Sequence, residues 1–265
     1  MDFTLSAYSS LLQLLISKEY SFVPFEDFIL SGLTSDNNSF IILRHDVDKL
    51  PNNSQNIAEL EYSLGIRGSY FFRVVSCSFN TDIIKKIQCW DHEIGYHYED
   101  MDLVRKRIKG KIKNISEDEM IDLAYESFCE NLSKMRELAE IKTICMHGSP
   151  LSKFDNKAIW KKYNYKNLGI IGEPYLDIDW HEWGYLTDTG RRWNGNKVNI
   201  RDKVNSVYKL DYKSTYDIIG HIENIPDKIM ITVHPQRWNN NILLWLKELI
   251  IQSAKNIIKK YFFQN

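Results

Sequence analysis

The sequence has no excess of either charge. Lys plus Arg total 34 against 35 Asp plus Glu, for a formal net charge of −1 over 265 residues. A nucleic-acid partner calls for a basic patch or stripe, and none stands out. Nor does any uninterrupted apolar run approach the roughly 18 residues of a membrane span. No basic amphipathic stretch points to a membrane surface either. Cysteine pairs are missing too. Cys77, Cys89, Cys129 and Cys145 are scattered, form no CxxC, and read as reduced thiols of a cytosolic protein. The first 20 residues carry Asp2 and lack a basic leader. Their apolar positions follow a helical rhythm, so they do not read as a secretory signal. No internal repeat, low-complexity tract or linker divides the chain. With 43% hydrophobic residues it can build a substantial core. The expectation is one cytoplasmic domain spanning 1–265, with no nucleic acid and no membrane insertion.

What the sequence does contain is alternation. Short apolar runs at 40–48, 68–75, 92–98, 142–148, 168–173 and 229–235 read as buried strands, flanked mostly by Gly, Asn, Asp or Pro. Between them lie helical patterns. One runs from about 52 to 64 and stops at Gly65. Another opens on the capping box Ser116/Glu119 and continues through apolar positions 120, 121, 124, 128, 132 and 135. The last 25 or so residues also read as helix, with an apolar face expected to pack on the body. Residues 175–205 are rich in Trp, Asp, Gly and Arg and show no period. Strand–helix alternation implies α/β architecture, with parallel strands inside and helices outside.

The ionisable residues collect on the strand runs. They are His45, Asp46 and Asp48, then His92 and His97, His147, Glu173, and His234. Five of the seven histidines lie there, all but His92 near the end of the run. Loops converge at the C-terminal edge of parallel strands, so ligands bind there. Polar groups ending apolar strands are costly to bury unpaired and need a metal, a substrate or one another. Asp46 and Asp48, two apart on an extended chain, face one side. One can ligate a cation while the other serves as a base. His45 and His92 read as structural groups held by neighbouring carboxylates, and His181 and His221 as surface residues.

The order "RHDVD", "SYFFR", "HEIGYH", "MHGSP", "ITVHP" resembles the polysaccharide deacetylases of carbohydrate esterase family 4 over about residues 40–236. That resemblance implies a distorted (β/α) barrel removing N- or O-acetyl groups from sugars with a divalent metal. Asp46 and Asp48 occupy the place of the family's base and metal-binding Asp, and their roles are open to exchange. Its first metal histidine falls on His97 and its general-acid histidine on His234. The blocks "HGSP", "TDTGRRW" and "HPQRW" resemble a less studied branch associated with bacterial surface-polysaccharide gene sets. Two departures stand out. The second metal histidine, four residues after the first, is replaced by Met101, a poor ligand beside hard carboxylates. His147, followed by Gly148, is the expected replacement, with Glu99 and Asp100 as alternatives. The family's Arg-containing third motif is absent at "MHGSP", and Arg192 or Arg237 would have to supply its charge.

The expected site follows. Asp48, His97 and His147 hold a divalent metal, Zn²⁺; Asp46 is the base and His234 the acid. Arg191, Arg192, Trp193, Arg237 and Trp238 contact a sugar or an anionic substituent. The reaction is deacylation of a sugar or glycan precursor. The other reading is a degraded barrel that only binds carbohydrate or serves assembly.

Overall fold

The computed structural model describes residues 1–32, 39–109, 115–148, 154–194 and 202–263, with backbone alone for 260–263. Seven parallel strands make one sheet curled into a half-barrel. They are β1 (Ser21–Phe22), β2 (Phe40–Val47), β3 (Ser69–Phe72), β4 (Glu93–Tyr98), β5 (Ile144–Met146), β6 (Gly184–Thr187) and β7 (Lys228–Val233). The order is β5-β4-β3-β2-β7-β6, with β1 pairing the start of β2. The flanking helices are α1 (Leu5–Ser17), α2 (Phe25–Ser31), α3 (Pro51–Ser63), α4 (Thr81–Cys89), α5 (Asp100–Ile108), α6 (Glu117–Arg136), α7 (Pro174–Asp177), α8 (Thr215–Gly220) and α9 (Ile242–Phe263). This is the expected α/β architecture. Among the described residues, no helix is long and apolar enough to cross a membrane.

Strand alternation sorts the side chains into two cores. Ile41, Leu43 and Val47 of β2, Tyr70 and Phe72 of β3, and Tyr96 and Tyr98 of β4 face the helices. Phe40, Ile42, Phe71, Cys145 and Met230 face the barrel interior with Trp183. Both faces of the sheet are therefore covered, which is why β2 is buried from end to end. The interior is narrow. A Cβ on Gly95 would lie 2.4 Å from the Phe71 ring and 3.1 Å from Thr143 O.

The helix signals hold where local chemistry decides. α3 starts on Pro51, whose missing N–H suits a first helical position, and Gly65 follows it with φ +71°. Ser116 and Glu119 form both bonds of the capping box, and Met120, Ile121, Ala124, Phe128, Leu132 and Met135 are all buried.

Two expectations need correction. Residues 168–173 do not form a strand. A 3₁₀ turn ends at Gly169 (φ +73°), and only Gly172 bridges Thr143. Pro174 cannot extend a ladder, and a Cβ at Gly172 would press on Phe25 and Ile29 at 3.0 Å. The sixth position of the sheet is filled by Gly184–Thr187, inside the stretch that showed no period.

The second correction concerns α9, which packs the reverse way from the expected one. Its inward stripe is Trp245, Glu248, Gln252 and Asn256, while Leu243, Ile250 and Ile257 are 73%, 67% and 58% exposed. Glu248 binds Lys49 at 3.1 Å, and Asn256 donates to Gly190 O. Polar anchors on the body override the apolar pattern.

Candidate metal centre

Each of six strands is followed at once by an ionisable residue. They are Asp48 after β2, Arg73 after β3, Glu99 after β4, His147 after β5, Asp188 after β6 and His234 after β7. Because the strands are parallel and paired in register, their ends lie at one edge. For all but β6, the residue past the end continues the alternation onto the interior side. Six ionisable groups thus meet at the barrel mouth.

Asp48 Oδ1 lies 3.6 Å from His97 Nε2 and 3.4 Å from His147 Nε2. One ligand atom from each of the three falls within 4.8 Å of the others. Such separations are long for a strong hydrogen bond. They match the roughly 3.4 Å edge of a tetrahedron with bonds of about 2.1 Å, the geometry of a Zn²⁺ site. Asp48 Oδ1 is buried without a hydrogen-bond partner. His97 Nδ1 faces Cys145 O at 2.9 Å, so it carries the proton and leaves the Nε2 lone pair toward Asp48. His147 Nδ1 faces Glu99 Oε2 at 3.4 Å. Two imidazoles aimed by outer acceptors at one carboxylate oxygen fit a divalent cation.

The electrostatics agree. Burial would raise the Asp48 carboxyl, but His147, His97 and His234 together hold it well below its ordinary value. Burial likewise opposes ionisation of Glu99, yet His147 and Arg73 bring it down to about 2. Arg73 locks the arrangement. Its Nε donates to Glu99 Oε1 at 2.8 Å and its Nη1 to Asp48 O at 2.9 Å. Gln236 Nε2 donates to Asp48 Oδ2 at 3.0 Å from the other side.

His234 stands across from the cluster, its Nε2 3.9 Å from Asp48 Oδ2. Its Nδ1 lies 2.6 Å from Asp188 Oδ1, and its main-chain N–H also donates to Asp188. Asp188 further accepts from Arg237 Nη1 and from Trp238 Nε1 at 2.7 Å. Burial pushes the Asp188 carboxyl up, but Arg237 and His234 outweigh it and keep it ionised. A buried carboxylate with four donors fixes the ring and supports charge on it.

Asp46 sits one turn of alternation below Asp48. Arg44, fully buried, clamps it with Nε on Oδ1 at 2.8 Å and Nη2 on Oδ2 at 2.6 Å. The charge beside Asp46 comes from Arg44, two residues earlier. Burial raises the Asp46 carboxyl, but Arg44 and His97 more than reverse it. Asp46 Oδ2 lies 3.7 Å from His97 Nε2. Asp46, His97 and Cys145 form a second group with metal-ligand spacing, deeper in the interior.

The structure brings Asp46, Asp48, His97, His147 and His234 together. Of the five residues expected to bind substrate, Arg191, Trp193, Arg237 and Trp238 are buried in other contacts and Arg192 is exposed. Trp193 and Trp238 are 3% and 1% exposed, and their indole N–H groups are taken by Thr215 and Asp188. Their faces pack around Phe3, so the expected sugar-contacting role is corrected to packing. Arg191 is buried over the Trp245 ring at 4.4 Å. Arg192, exposed, donates to Asn194, and Arg237 serves Asp188. Met101 is buried in the main core. Asp100 bonds Tyr96, Ser127 and Asn131 there, so of the two alternative ligands only Glu99 reaches the site. His45 and His92 surround Glu61 behind the sheet, as expected of structural groups. Ser149 and Pro150 of "HGSP" lie outside the described residues.

Arg44, Arg73, Asp188 and Gln236 were not assigned from sequence. Arg73 stood inside the run 68–75, as the assigned residues stood in theirs, whereas no run was visible ahead of Asp188. Arg44 stood inside the run 40–48, and Gln236 carried no signal.

No protein-family model and no curated protein matches the chain. Among solved structures it is similar to a CE4 family pseudoenzyme from Bacillus anthracis, at 13% identity and a TM-score of 0.42, covering 85% of this chain and 63% of that one. A mutant CE4 family pseudoenzyme with restored enzymatic activity gives the same identity and score over 85% and 65%. A family 4 carbohydrate esterase from Bacillus anthracis gives 11% and 0.41 over 93% and 85%. The chain thus spans just under two thirds of those pseudoenzymes, and likeness at this level speaks to neither activity nor substrate.

Proposed function

We propose that this protein is a divalent-metal-dependent hydrolase that removes an acetyl or similar acyl group from a sugar or glycan precursor of a bacterial surface polysaccharide. The observation that carries the reading is the Asp48–His97–His147 constellation with the Asp188-anchored His234 facing it. Asp48, His97 and His147 would hold the cation, with Zn²⁺ the expected ion for two imidazoles and a carboxylate. When bound, such an ion polarises an acyl carbonyl and makes nearby water more acidic. Asp46, kept ionised by Arg44, takes the proton of the attacking water. His234, with Asp188 on Nδ1, delivers a proton from Nε2 to the leaving amine or alkoxide. Arg73 and Glu99 hold the ligands in place.

A second reading rests on the Arg44 clamp. Both Asp46 oxygens already accept from a guanidinium, which weakens the base and suits a barrel kept for carbohydrate binding or assembly. The test is metal content by elemental analysis, for wild type and His147→Ala, with acetate release from acetylated sugars. About one cation per chain, lost in the variant, together with acetate release, supports hydrolysis. Protein that stays metal-free on titration, or binds metal and releases nothing, favours the second reading.

A further inference from the structure

The outer face of α9 carries six branched aliphatic side chains in two rows. Leu243, Ile250 and Ile257 form one, and Leu244, Ile251 and Ile258 the next. Each row recurs every seven residues, the repeat that suits a crossing helix. The exposed fractions amount to about three and a half fully exposed Leu or Ile residues. That area is on the order of 600 Å², the upper limit of what monomers leave bare. It is also most of the roughly 800 Å² per partner of a standard interface.

The inner face cannot by itself explain why α9 is there. Its body-facing side chains are largely polar, whereas a helix usually gains its stability by burying an apolar stripe. Here the apolar stripe points away.

We infer that this face of α9 is a two-fold interface with a second copy of the same chain. Ala254 lies between the rows with Ile250, Ile251, Ile257 and Ile258 around it, at the i±3 and i±4 positions. A small residue ringed by four large ones lets two helices approach closely. A two-fold axis at Ala254 sets four isoleucines against the same four of the copy, the self-complementary arrangement an isologous contact requires. Charge agrees. Glu248, the helix's only acidic residue, is turned inward onto Lys49. Lys247 lies on the outer midline seven residues from Ala254, about 10 Å along the axis. There its long stem can lie along the partner helix and carry the charge out to water at the flank. On a lipid surface the same lysine would sit in the middle of the inserted face. The interface also reaches the metal centre. α9 bonds Lys49, next to Asp48, and Gly190, close to Asp188.

The inference stands independently of the proposed chemistry, and its test reads mass rather than activity. Sedimentation equilibrium of the full chain at micromolar concentration should give twice the chain mass. Ile250→Glu with Ile257→Glu should halve it while the far-ultraviolet circular dichroism stays unchanged. Should that variant fail to fold, Ala254→Cys, in a chain with Cys77 and Cys89 replaced by Ser, should form a disulfide-linked dimer on mild oxidation. A monomeric wild type, a dimer that survives both glutamates, or an Ala254→Cys chain that does not cross-link would overturn the inference. So would a monomer that floats with anionic phosphatidylserine vesicles and loses that binding in the glutamate variant, which would assign the face to a membrane surface.

Discussion

Asp188 and His234 are 46 residues apart, follow neighbouring strands β6 and β7, and share a 2.6 Å contact between Oδ1 and Nδ1. The same carboxylate holds the main-chain N–H of His234, so side chain and backbone are tied to one anchor. The free Nε2 then points toward Asp48.

If that nitrogen delivers the proton, His234→Ala should lower acetate release by about 10²–10⁴-fold. The metal content should stay at the wild-type value, because the proposed ligands are Asp48, His97 and His147. Parallel elemental analysis and turnover measurements check this. Loss of metal together with activity would make His234 a ligand instead.

Arg73 and Glu99 set the outer frame of the cluster. Glu99→Gln removes the charge facing His147 Nδ1, and Arg73→Ala frees both Glu99 and the Asp48 carbonyl. Each should weaken metal affinity by about 10–100-fold. Competition with a chromophoric chelator measures the affinity directly. Unchanged affinity in both variants would mean that His147 is oriented by other contacts.

Glu93 predicts a pH dependence remote from the metal ligands. Burial is the dominant influence on it, raising its carboxyl to about 7 against bonds from Ser69, Thr143 and the Glu26 N–H. The unfolded chain titrates near 4.5. Between those values the unfolded state releases a proton that the folded state keeps. Stability from this group is therefore complete below about 4.5 and is lost as pH rises through about 7. The shift corresponds to about 3 kcal/mol at most. Urea unfolding of wild type and Glu93→Gln across that window should show a decline in the first that is flattened in the second.

Gly95 on β4 leaves no room for a methyl group. Gly95→Ala would bring its Cβ to 2.4 Å from Phe71. The expected loss is about 1–3 kcal/mol, read as a lower unfolding midpoint. Gly95→Ala with Phe71→Leu should recover part of it, since the smaller side chain vacates the contact.

Much of the fold was legible because local rules act on neighbours in the chain. Proline at a first turn, the Ser116/Glu119 box and glycine after α3 each work within a few residues. Strand burial was legible where runs were long, as in β2. It failed at 168–173, where apolar residues are interrupted by Gly169 and Gly172 and stopped by Pro174. It also failed at Gly184–Thr187, whose four residues are too few to show a period. The apolar rhythm of α9 was read correctly, but its direction was not, because the anchors Lys49 and Gly190 lie far away in the chain.

The sequence by itself determined which residues stand at strand ends. Alternation of side chains is a property of each strand alone, so Asp46 with Asp48, and the facing positions of His97, His147 and His234, could be read one run at a time. Only the tertiary structure decided which ends meet. Parallel pairing in the order β5-β4-β3-β2-β7-β6 sets His147, His97, Asp48 and His234 along one edge. It also brings in Arg73 and Asp188 to hold them, and draws Trp193 and Trp238 into the core. Those outcomes depend on contacts between residues distant in the chain, where burial and charge are balanced across strands rather than along them.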